Sequence, residues 1–267
     1  MPRTVDQLSS AGPLRVLVNG QSPGPEDLTH PALINYGHYT AMQARGGRVR
    51  GLDLHLDRIA RTHRDLFASD IDLDLVRGHM RAAVRDMPDC YLRTVFFETE
   101  PGTADVMTVQ RPPVDASTEP VALLPVDYQH PFAHMKHMGT FSKIYHSVVA
   151  QRTGFDDALH TTADGWISET TGANIGFQDG SRIVWPAQPA LQGVTKSLLE
   201  AALQREGIES MTEPVNVRDV SAFSAAFLSN SVGVAPVGRI GALDLGDPTP
   251  VVELLTGLYE STPWDEI

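Results

Sequence analysis

Lysine is scarce in this chain, which limits where amine chemistry can occur. Of the 21 basic residues, three are lysines: Lys136, Lys143 and Lys196. Lys136 lies in a partly apolar stretch with histidines close by on both sides, between a loop and a predicted helix. Because desolvation destabilises an ammonium group, an amine in such a place becomes a usable nucleophile or imine partner. A lysine exposed to solvent is the alternative interpretation.

Two segments downstream carry groups that could complete a site around such an amine. A turn at Asp164-Gly165 leads into a short predicted strand that ends at Glu169. Further on, the chain passes through Gly193 and opens a predicted helix, whose free N–H groups and dipole favour an anion. Taken alone, each signal is weak, since strand-end carboxylates are usually solvated and Gly-Val-Thr often marks a plain helix start.

The order and spacing of these groups resemble the fold type IV pyridoxal-phosphate enzymes. This family includes the branched-chain and D-amino-acid aminotransferases and 4-amino-4-deoxychorismate lyase. Its lysine is followed about twenty residues later by Asp/Glu-Ala-Leu and then by Gly-x-x-x-Glu-x-x-x-x-Asn, a set of residues that suits the cofactor's chemistry. Lys136, residues 156–159 and residues 165–174 meet that spacing without a gap. Lys143 lies seven residues later and fits the spacing less well.

The resemblance implies a role for each of these residues. Lys136 is expected to hold pyridoxal 5′-phosphate as a Schiff base and to shuttle a proton between the substrate and the cofactor. Glu169 is expected to keep the pyridine nitrogen protonated, which makes the ring a better electron sink. The other expected cofactor-binding residues, which surround the phosphate, are Arg58, Gly193, Val194, Thr195 and Asn230.

Arg58 belongs to a row of three arginines, with Arg61 and Arg64, spaced three residues apart. Such a row also fits a solvated basic stripe on a helix. The resemblance alone selects Arg58, because the family has a His-x-x-Arg-Leu motif here whose arginine contacts the phosphate. Asn230 stands where the aminotransferases often have threonine.

For the substrate, the resemblance indicates Tyr91, Arg93 and Thr40. Tyr91 and Arg93 alternate onto one face of a predicted strand, so both could reach the same substrate carboxylate. An arginine on the wet face of an antiparallel sheet is the alternative. Two stretches depart from the family pattern, one around Gly37 and one at 137–141, where Phe141 replaces the tyrosine of the branched-chain enzymes.

The reaction expected from the resemblance is transfer of an amino group between an amino acid or amine and a 2-oxo acid. A β-elimination lyase of the aminodeoxychorismate type is the alternative within the same chemistry. A diverged homologue that keeps the fold without catalysis is a third hypothesis. Family members are usually homodimers, so a homodimer is expected as well.

Composition excludes several other classes of function. The formal net charge of −12 disfavours binding to nucleic acid or to an anionic membrane. The single cysteine, Cys90, excludes an intramolecular disulfide, and residues 1–6 lack the apolar core of a signal peptide. The chain is therefore expected in the cytoplasm. No His-x-x-x-His or Cys-x-x-Cys spacing occurs, and no metal site is expected.

The elements that must position these residues follow from hydrophobic periodicity. Helical spacing recurs at 56–67, 74–86, 141–153, 194–205 and 249–259, and β-branched or alternating segments separate these stretches. A proline-rich break at 111–117 predicts a linker. The chain is therefore an α/β (α+β) protein of two lobes. With the resemblance, we expect a small N-terminal α/β lobe at 1–115 and a larger, β-barrel-like, cofactor-binding lobe at 116–267.

Overall fold

A computed structural model describes residues 14–267. Residues 1–6, on which the expectation about a signal peptide rests, lie outside the described residues. The described chain forms two compact units. The N-terminal unit comprises residues 14–114, 135–140 and 263–267, and the barrel unit comprises residues 115–134 and 141–262. Each unit therefore contains chain segments that are distant in sequence.

The N-terminal unit is an antiparallel sheet covered by helices. Its elements are β1 (Arg15–Val18), α1 (Pro25–Leu33), β2 (His38–Ala44), β3 (Arg48–Val49), α2 (Leu52–Phe67), α3 (Leu73–Asp86), β4 (Cys90–Glu100) and β5 (Thr103–Arg111). Four strands pair in the order β1, β5, β4, β2. Along α2, Leu52, Leu56 and Ile59 recur at helical spacing and are buried in the core of this unit.

The last residues of the described chain complete the N-terminal unit. Strand β15 (Asp265–Glu266) pairs antiparallel with β3. The side chain of Asp265 accepts a hydrogen bond from the N–H of Leu52 at 3.0 Å, at the first residue of α2. Ile267 is buried in the same core as α2, and its carbonyl oxygen accepts a bond from Arg81.

The barrel unit is built on one nine-stranded sheet. Its elements are β6 (Val121–Asp127), α4 (Phe141–Arg152), β7 (Asp157–Thr161), β8 (Ile167–Thr170), β9 (Asn174–Asp179), β10 (Arg182–Pro186), α5 (Val194–Arg205), β11 (Ser210–Glu213), β12 (Ala225–Asn230), β13 (Gly233–Ile240), β14 (Leu243–Asp244) and α6 (Thr249–Glu260). A 3-10 turn covers Val220–Ala222.

Six strands of that sheet close into a ring. The order β9, β12, β13, β6, β7, β8 returns to β9 through a single pairing of Glu169 with Asn174. Leu159, Ile167, Ile175 and Phe177 belong to the apolar core of this sheet. The prediction of a mixed α/β fold with a barrel-like lobe is confirmed. None of the helices among residues 14–267 is both long and apolar enough to cross a bilayer.

Two elements differ from the sequence-based expectations. Helix α1 begins at a proline and buries none of its residues, so it offers no amphipathic pattern to detect. The sequence also favours a strand around Val215, but β11 ends at Glu213 and Val215 follows it as a buried residue of the connecting segment.

Candidate cofactor-binding site

Lys136 is fixed by backbone hydrogen bonds to strand β2. The carbonyl oxygen of Lys136 accepts a bond from the N–H of Tyr39 at 2.9 Å, and the N–H of Met138 donates to the carbonyl oxygen of Gly37 at 2.8 Å. A β-carbon at Gly37 would lie 2.5 Å from the carbonyl oxygen of Phe96, so this close approach requires glycine. The main chain at Lys136 is thus held in place although it lies outside a named strand.

Tyr39 brings the amine of Lys136 and the guanidinium of Arg93 to one aromatic ring. The Lys136 Nζ lies 4.9 Å from the ring centroid, and the Arg93 Cζ lies 3.9 Å from it. Both cations are attracted to the electron-rich face of the ring. Because Ala41 pairs with Arg93 across strands β2 and β4, Tyr39 lies on the same face of the sheet as Arg93.

The two residues expected to bind the substrate on β4 share that face. Tyr91 and Arg93 are two residues apart on one strand, as predicted, and Tyr91 carries the guanidinium of Arg111 over its ring at 4.1 Å. Thr40 differs, because it follows Tyr39 directly and points to the opposite face. There its hydroxyl oxygen accepts a hydrogen bond from Arg58 Nη2 at 2.7 Å.

The structure distinguishes Arg58 from its two neighbours in the arginine row. Arg58 is 7% exposed, whereas Arg61 and Arg64 are exposed. Arg64 forms an ion pair with Asp70 at 2.5 Å. Burial lowers the pKa of Arg58 to about 10. Its Nε has no hydrogen-bond partner among the described residues, which leaves a donor available for an anion.

Two buried histidines on the Arg58 side of the sheet are neutral. Burial, followed by the charges of Arg58 and Lys136, lowers the pKa of His55 well below its ordinary value. The Nδ1 of His55 lies 2.7 Å from the hydroxyl of Thr40. Burial also lowers the pKa of His38 to about 3, with His63 and Arg58 as further causes. The positive charge of this cluster therefore resides on Arg58.

In the barrel unit, Glu169 is a buried carboxylate with a partner on each oxygen. Lys143 Nζ lies 2.8 Å from Oε1, and the N–H of Leu191 donates to Oε2 at 3.2 Å. Glu169 closes the ring of six strands, because it pairs with Asn174 across β8 and β9. Asn174 in turn donates from its amide to the carbonyl oxygen of Leu191 at 2.8 Å.

The start of helix α5 follows the loop that carries Leu191. Gly193 is the N-cap residue, and a β-carbon there would collide with the side-chain oxygen of Asn174. Val194 and Thr195 are buried at the first positions of the helix. The N–H groups of a first helical turn have no partner within the helix, so they can bind a phosphate.

Thr195 and Asn230 are linked to each other in the structure. The hydroxyl of Thr195 donates to the carbonyl oxygen of Asn230 at 2.7 Å. The amide of Asn230 donates to the carbonyl oxygen of Gly172 at 3.3 Å, and its side-chain oxygen accepts a bond from Val232 N–H at 2.8 Å. These two side chains therefore shape the end of β12 around the helix start.

Each unit, taken by itself, carries groups that fit a part of pyridoxal phosphate. The N-terminal unit offers a half-buried amine at Lys136 and a buried guanidinium with an unpartnered Nε at Arg58. The barrel unit offers the buried carboxylate of Glu169 and the helix start at Gly193. An aldehyde, a phosphate dianion and a protonatable ring nitrogen require these four kinds of group.

Sequence reasoning gives no role to three residues that contribute to this arrangement. Tyr39 lies directly before Thr40 in a motif that departs from the family, and only its position on the face of Arg93 indicates a role. His55 lies one helical turn before Arg58, a spacing that places the two side chains together. Lys143 was weighed only as a weaker candidate for the imine, and no sequence signal pairs it with Glu169.

Comparison with known proteins finds that this chain is similar to aminotransferases. The amino-transferase class IV family model matches residues 37–240. A provisionally assigned branched-chain-amino-acid aminotransferase of Methanocaldococcus jannaschii is 24% identical over 261 residues, which cover 85% of this chain and 88% of that protein.

Solved structures share the fold. The branched-chain aminotransferase of Thermoproteus uzoniensis with norvaline superposes with a TM-score of 0.79 at 19% identity, over 92% of this chain and 93% of that one. A hypothetical aminotransferase from Mycobacterium tuberculosis in its pyridoxal-phosphate-bound form gives 0.79 at 18% identity, over 93% and 98%. A provisionally assigned 4-amino-4-deoxychorismate lyase from Legionella pneumophila gives 0.77 at 18% identity, over 86% and 92%.

Proposed function

This chain belongs to the class IV aminotransferases, and on that premise we propose that Lys136 is its cofactor-linked catalytic lysine. The family is pyridoxal-phosphate-dependent, and its members act on amino acids and 2-oxo acids. The observation that supports the choice of Lys136 is its anchored main chain, with the amine over Tyr39 on the face that also carries Arg93. Lys143 has a different role in the structure, since its amine is paired with Glu169.

Pyridoxal phosphate supplies an electron sink that stabilises a carbanion at the α-carbon of an amino acid. Lys136 would hold the cofactor through its aldehyde, and its amine would serve as the acid–base group that moves the proton of the substrate α-carbon. The ring of Tyr39 orients the Lys136 amine for this transfer. Glu169 would keep the ring nitrogen of the cofactor protonated.

The phosphate is bound by groups of two kinds. Arg58 supplies a buried cation whose Nη2 is held by Thr40 and whose Nε is unpartnered among the described residues. The helix start at Gly193, Val194 and Thr195 supplies main-chain donors, and Asn230 braces that turn through the hydroxyl of Thr195. An arginine and a helix N-terminus are each suited to a dianion.

Arg93 and Tyr91 bind the carboxylate of the incoming amino acid or 2-oxo acid. The guanidinium of Arg93 suits this role because it lies at the ring of Tyr39, where the Lys136 amine also lies. Thr40, which we expected to contact the substrate, supports Arg58 instead in this structure. Its contribution to the substrate would therefore be indirect.

Three further proposals concern the setting of the enzyme. We propose that its two domains divide near residues 115 and 116 as expected, with residues 135–140 and 263–267 joining the N-terminal one, and that it works in the cytoplasm. We also propose a homodimer, as is usual in the family. Support for an association surface comes from the exposed aromatic side chains of Phe132, Phe141 and Tyr145 in the barrel unit, which are 67%, 76% and 55% exposed. Size-exclusion chromatography with light scattering tests the dimer.

The deciding experiment is borohydride reduction of the cofactor-loaded protein followed by peptide mapping. Because the chain has three lysines, the modified peptide identifies the residue unambiguously. An adduct on Lys136 supports the proposal, whereas an adduct on Lys143 or Lys196, or none, overturns it. Lys136→Ala should lower turnover about a thousandfold or more and abolish the adduct. Lys196→Arg is the matched control, because it removes an amine and keeps the charge.

Consumption of a 2-oxo acid separates the two candidate reactions. An aminotransferase consumes one 2-oxo acid for each amino group that it moves. The lyase alternative, for which the fold of the Legionella protein is the supporting observation, expels a leaving group without that consumption. Turnover of an amino acid that is independent of added 2-oxo acid would therefore favour the lyase.

A further inference from the structure

Lys143 and Glu169 form an ion pair inside the barrel unit. Lys143 is the third residue of α4, and its Nζ lies 2.8 Å from Oε1 of Glu169 on β8. The side chains are 16% and 4% exposed, respectively. A pair this deeply buried differs from a surface ion pair, because neither charge can be solvated fully and each depends on the other.

The carboxylate of Glu169 is oriented by hydrogen bonds from the protein itself. Lys143 occupies Oε1, and the N–H of Leu191 donates to Oε2 at 3.2 Å. Within the described residues, Glu169 forms its ion pair with Lys143. A group that approaches Glu169 therefore meets a carboxylate whose negative charge is already partly balanced by an ammonium group.

The other titratable groups around the pair do not replace this charge. His160 on β7 is buried with both ring nitrogens unpartnered, and burial, then Lys143, then His146 and His130 lower its pKa to about 3. Burial also lowers the pKa of His146 on α4. Asp157 on β7 accepts a hydrogen bond from Thr171 at 2.7 Å. Near neutral pH the two histidines carry no charge, so Lys143 supplies the positive charge beside Glu169.

We propose that Lys143 is a positioning residue that holds the Glu169 carboxylate and reduces the negative charge it presents to the ring nitrogen of the cofactor. The inference rests on the proposed function, in which Glu169 would keep that nitrogen protonated. A lone buried carboxylate would stabilise a protonated ring strongly. With Lys143 beside it, part of that stabilisation is cancelled, and the ring nitrogen gives up its proton at a lower pH.

The test measures the ring nitrogen directly. The holoenzyme is prepared with pyridoxal phosphate labelled with ¹⁵N in the ring, and its ¹⁵N chemical shift is followed against pH. In Lys143→Met and Lys143→Gln the midpoint of the titration should rise by about one pH unit or more, because the compensating charge is gone. Lys143→Arg should stay near the wild-type midpoint. Lys143→Gln keeps a hydrogen-bond donor, so it separates the charge from the bond and remains usable if Lys143→Met does not fold.

Arg152→Gln provides the matched control, since Arg152 is an exposed cation at the last residue of the same helix. It should leave the midpoint unchanged. If the Met and Gln variants of Lys143 titrate like the wild type while the cofactor is bound through Lys136, the inference is wrong and the proposed function stands. If the wild type binds no labelled cofactor, the proposed function and this inference both fall.

Discussion

In the N-terminal unit a buried guanidinium, Arg58, lies against a threonine hydroxyl and a neutral histidine. In the barrel unit a buried carboxylate, Glu169, lies 2.8 Å from an ammonium group. Among the described residues Arg58 forms no ion pair with a carboxylate, and its Nε is unpartnered. Among the described residues, the N-terminal unit thus buries the charge of Arg58 without a counterion, whereas the barrel unit buries the charge of Glu169 with one.

The proposed function assigns a different ligand to each charge, and this accounts for the difference. A cation that receives a phosphate dianion gains its counterion from the ligand, so an internal carboxylate would compete with binding. A carboxylate next to a ring nitrogen would gain at most the single positive charge of the protonated ring. The buried carboxylate of Glu169 is stabilised in addition by the ammonium group of Lys143. In the proposed function, binding of the phosphate would offset the cost of burying the unpaired charge of Arg58.

The largest expected effect comes from Arg58→Met. Losing the fork of donors should weaken binding of pyridoxal phosphate about 100-fold. The free protein should become more stable by about 1 kcal/mol, because a buried unpaired cation is replaced by an apolar side chain of similar size. Fluorescence titration with the cofactor and urea unfolding without it measure the two quantities. Arg61→Gln, at an exposed position of the same helix, should change neither. A destabilised Arg58→Met protein would contradict the comparison.

Lys143→Met should have the opposite effect on the free protein. It leaves the buried carboxylate of Glu169 without its counterion, so we expect a loss of stability of about 2 kcal/mol. Urea unfolding of the variant beside Arg152→Gln measures this difference. Equal stability of the two variants would show that the pair at 2.8 Å contributes little to the fold.

Each unit also buries a neutral histidine, and these two should respond differently to replacement. His160 in the barrel unit has no partner on either ring nitrogen, so His160→Phe should stabilise the protein by about 1 kcal/mol at pH 7.5. His38 in the N-terminal unit lies 3.2 Å from His63, so His38→Phe should destabilise it by a similar amount through the lost bond. Urea unfolding of both variants measures the two changes in the free energy of unfolding, which should have opposite signs.

Acid should weaken both units through these histidines. Burial lowers the pKa of His38 and of His160 to about 3, so between that value and the ordinary 6.5 the unfolded chain binds more protons. Stability should therefore fall with decreasing pH, by about 1 kcal/mol per pH unit for each histidine. Burial raises the pKa of Asp157 to about 6, which offsets part of this loss as pH falls toward 3.8. Unfolding curves from pH 7.5 to 4.5 should show His160→Phe with the shallower dependence.

The smallest expected effect concerns the end of the described chain. Asp265→Ala removes the acceptor for Leu52 N–H at the start of α2, and we expect a loss of about 0.5–1 kcal/mol. Glu266→Ala is the control, since its carboxylate pairs at 3.0 Å with an exposed Arg48 and should contribute less. Thermal unfolding compares the two, and equal shifts would show that Asp265 contributes no more than a surface ion pair.

Much of the fold could be predicted because its elements carry local signals. Helix α5 runs over 194–205 as predicted, since a glycine precedes it and its apolar residues recur at helical spacing. Strands β4 and β5 lie between the helical stretches 74–86 and 141–153, where β-branched or alternating segments are predicted. Strand β15 has two residues and exists because it pairs with β3, so no pattern within it could reveal it.

The candidate site divides in the same way. The spacing from Lys136 through Gly165 to Glu169 is a property of sequence, and so is the helix start at Gly193. The burial of Arg58 beside two exposed arginines depends on how α2 packs on the sheet. The pairing of Lys143 with Glu169 joins residues 26 positions apart through the barrel, and only the folded chain brings them together.

The return of residues 263–267 to the N-terminal unit has a consequence for biosynthesis. A ribosome makes the strands β1 to β5 first, but the residue that caps α2 and the strand that pairs with β3 are made only after the whole barrel unit. The helix that carries Arg58 therefore acquires its final contacts late. A chain arrested within the barrel would expose an N-terminal unit that lacks its last strand, a state that cellular proteases can recognise.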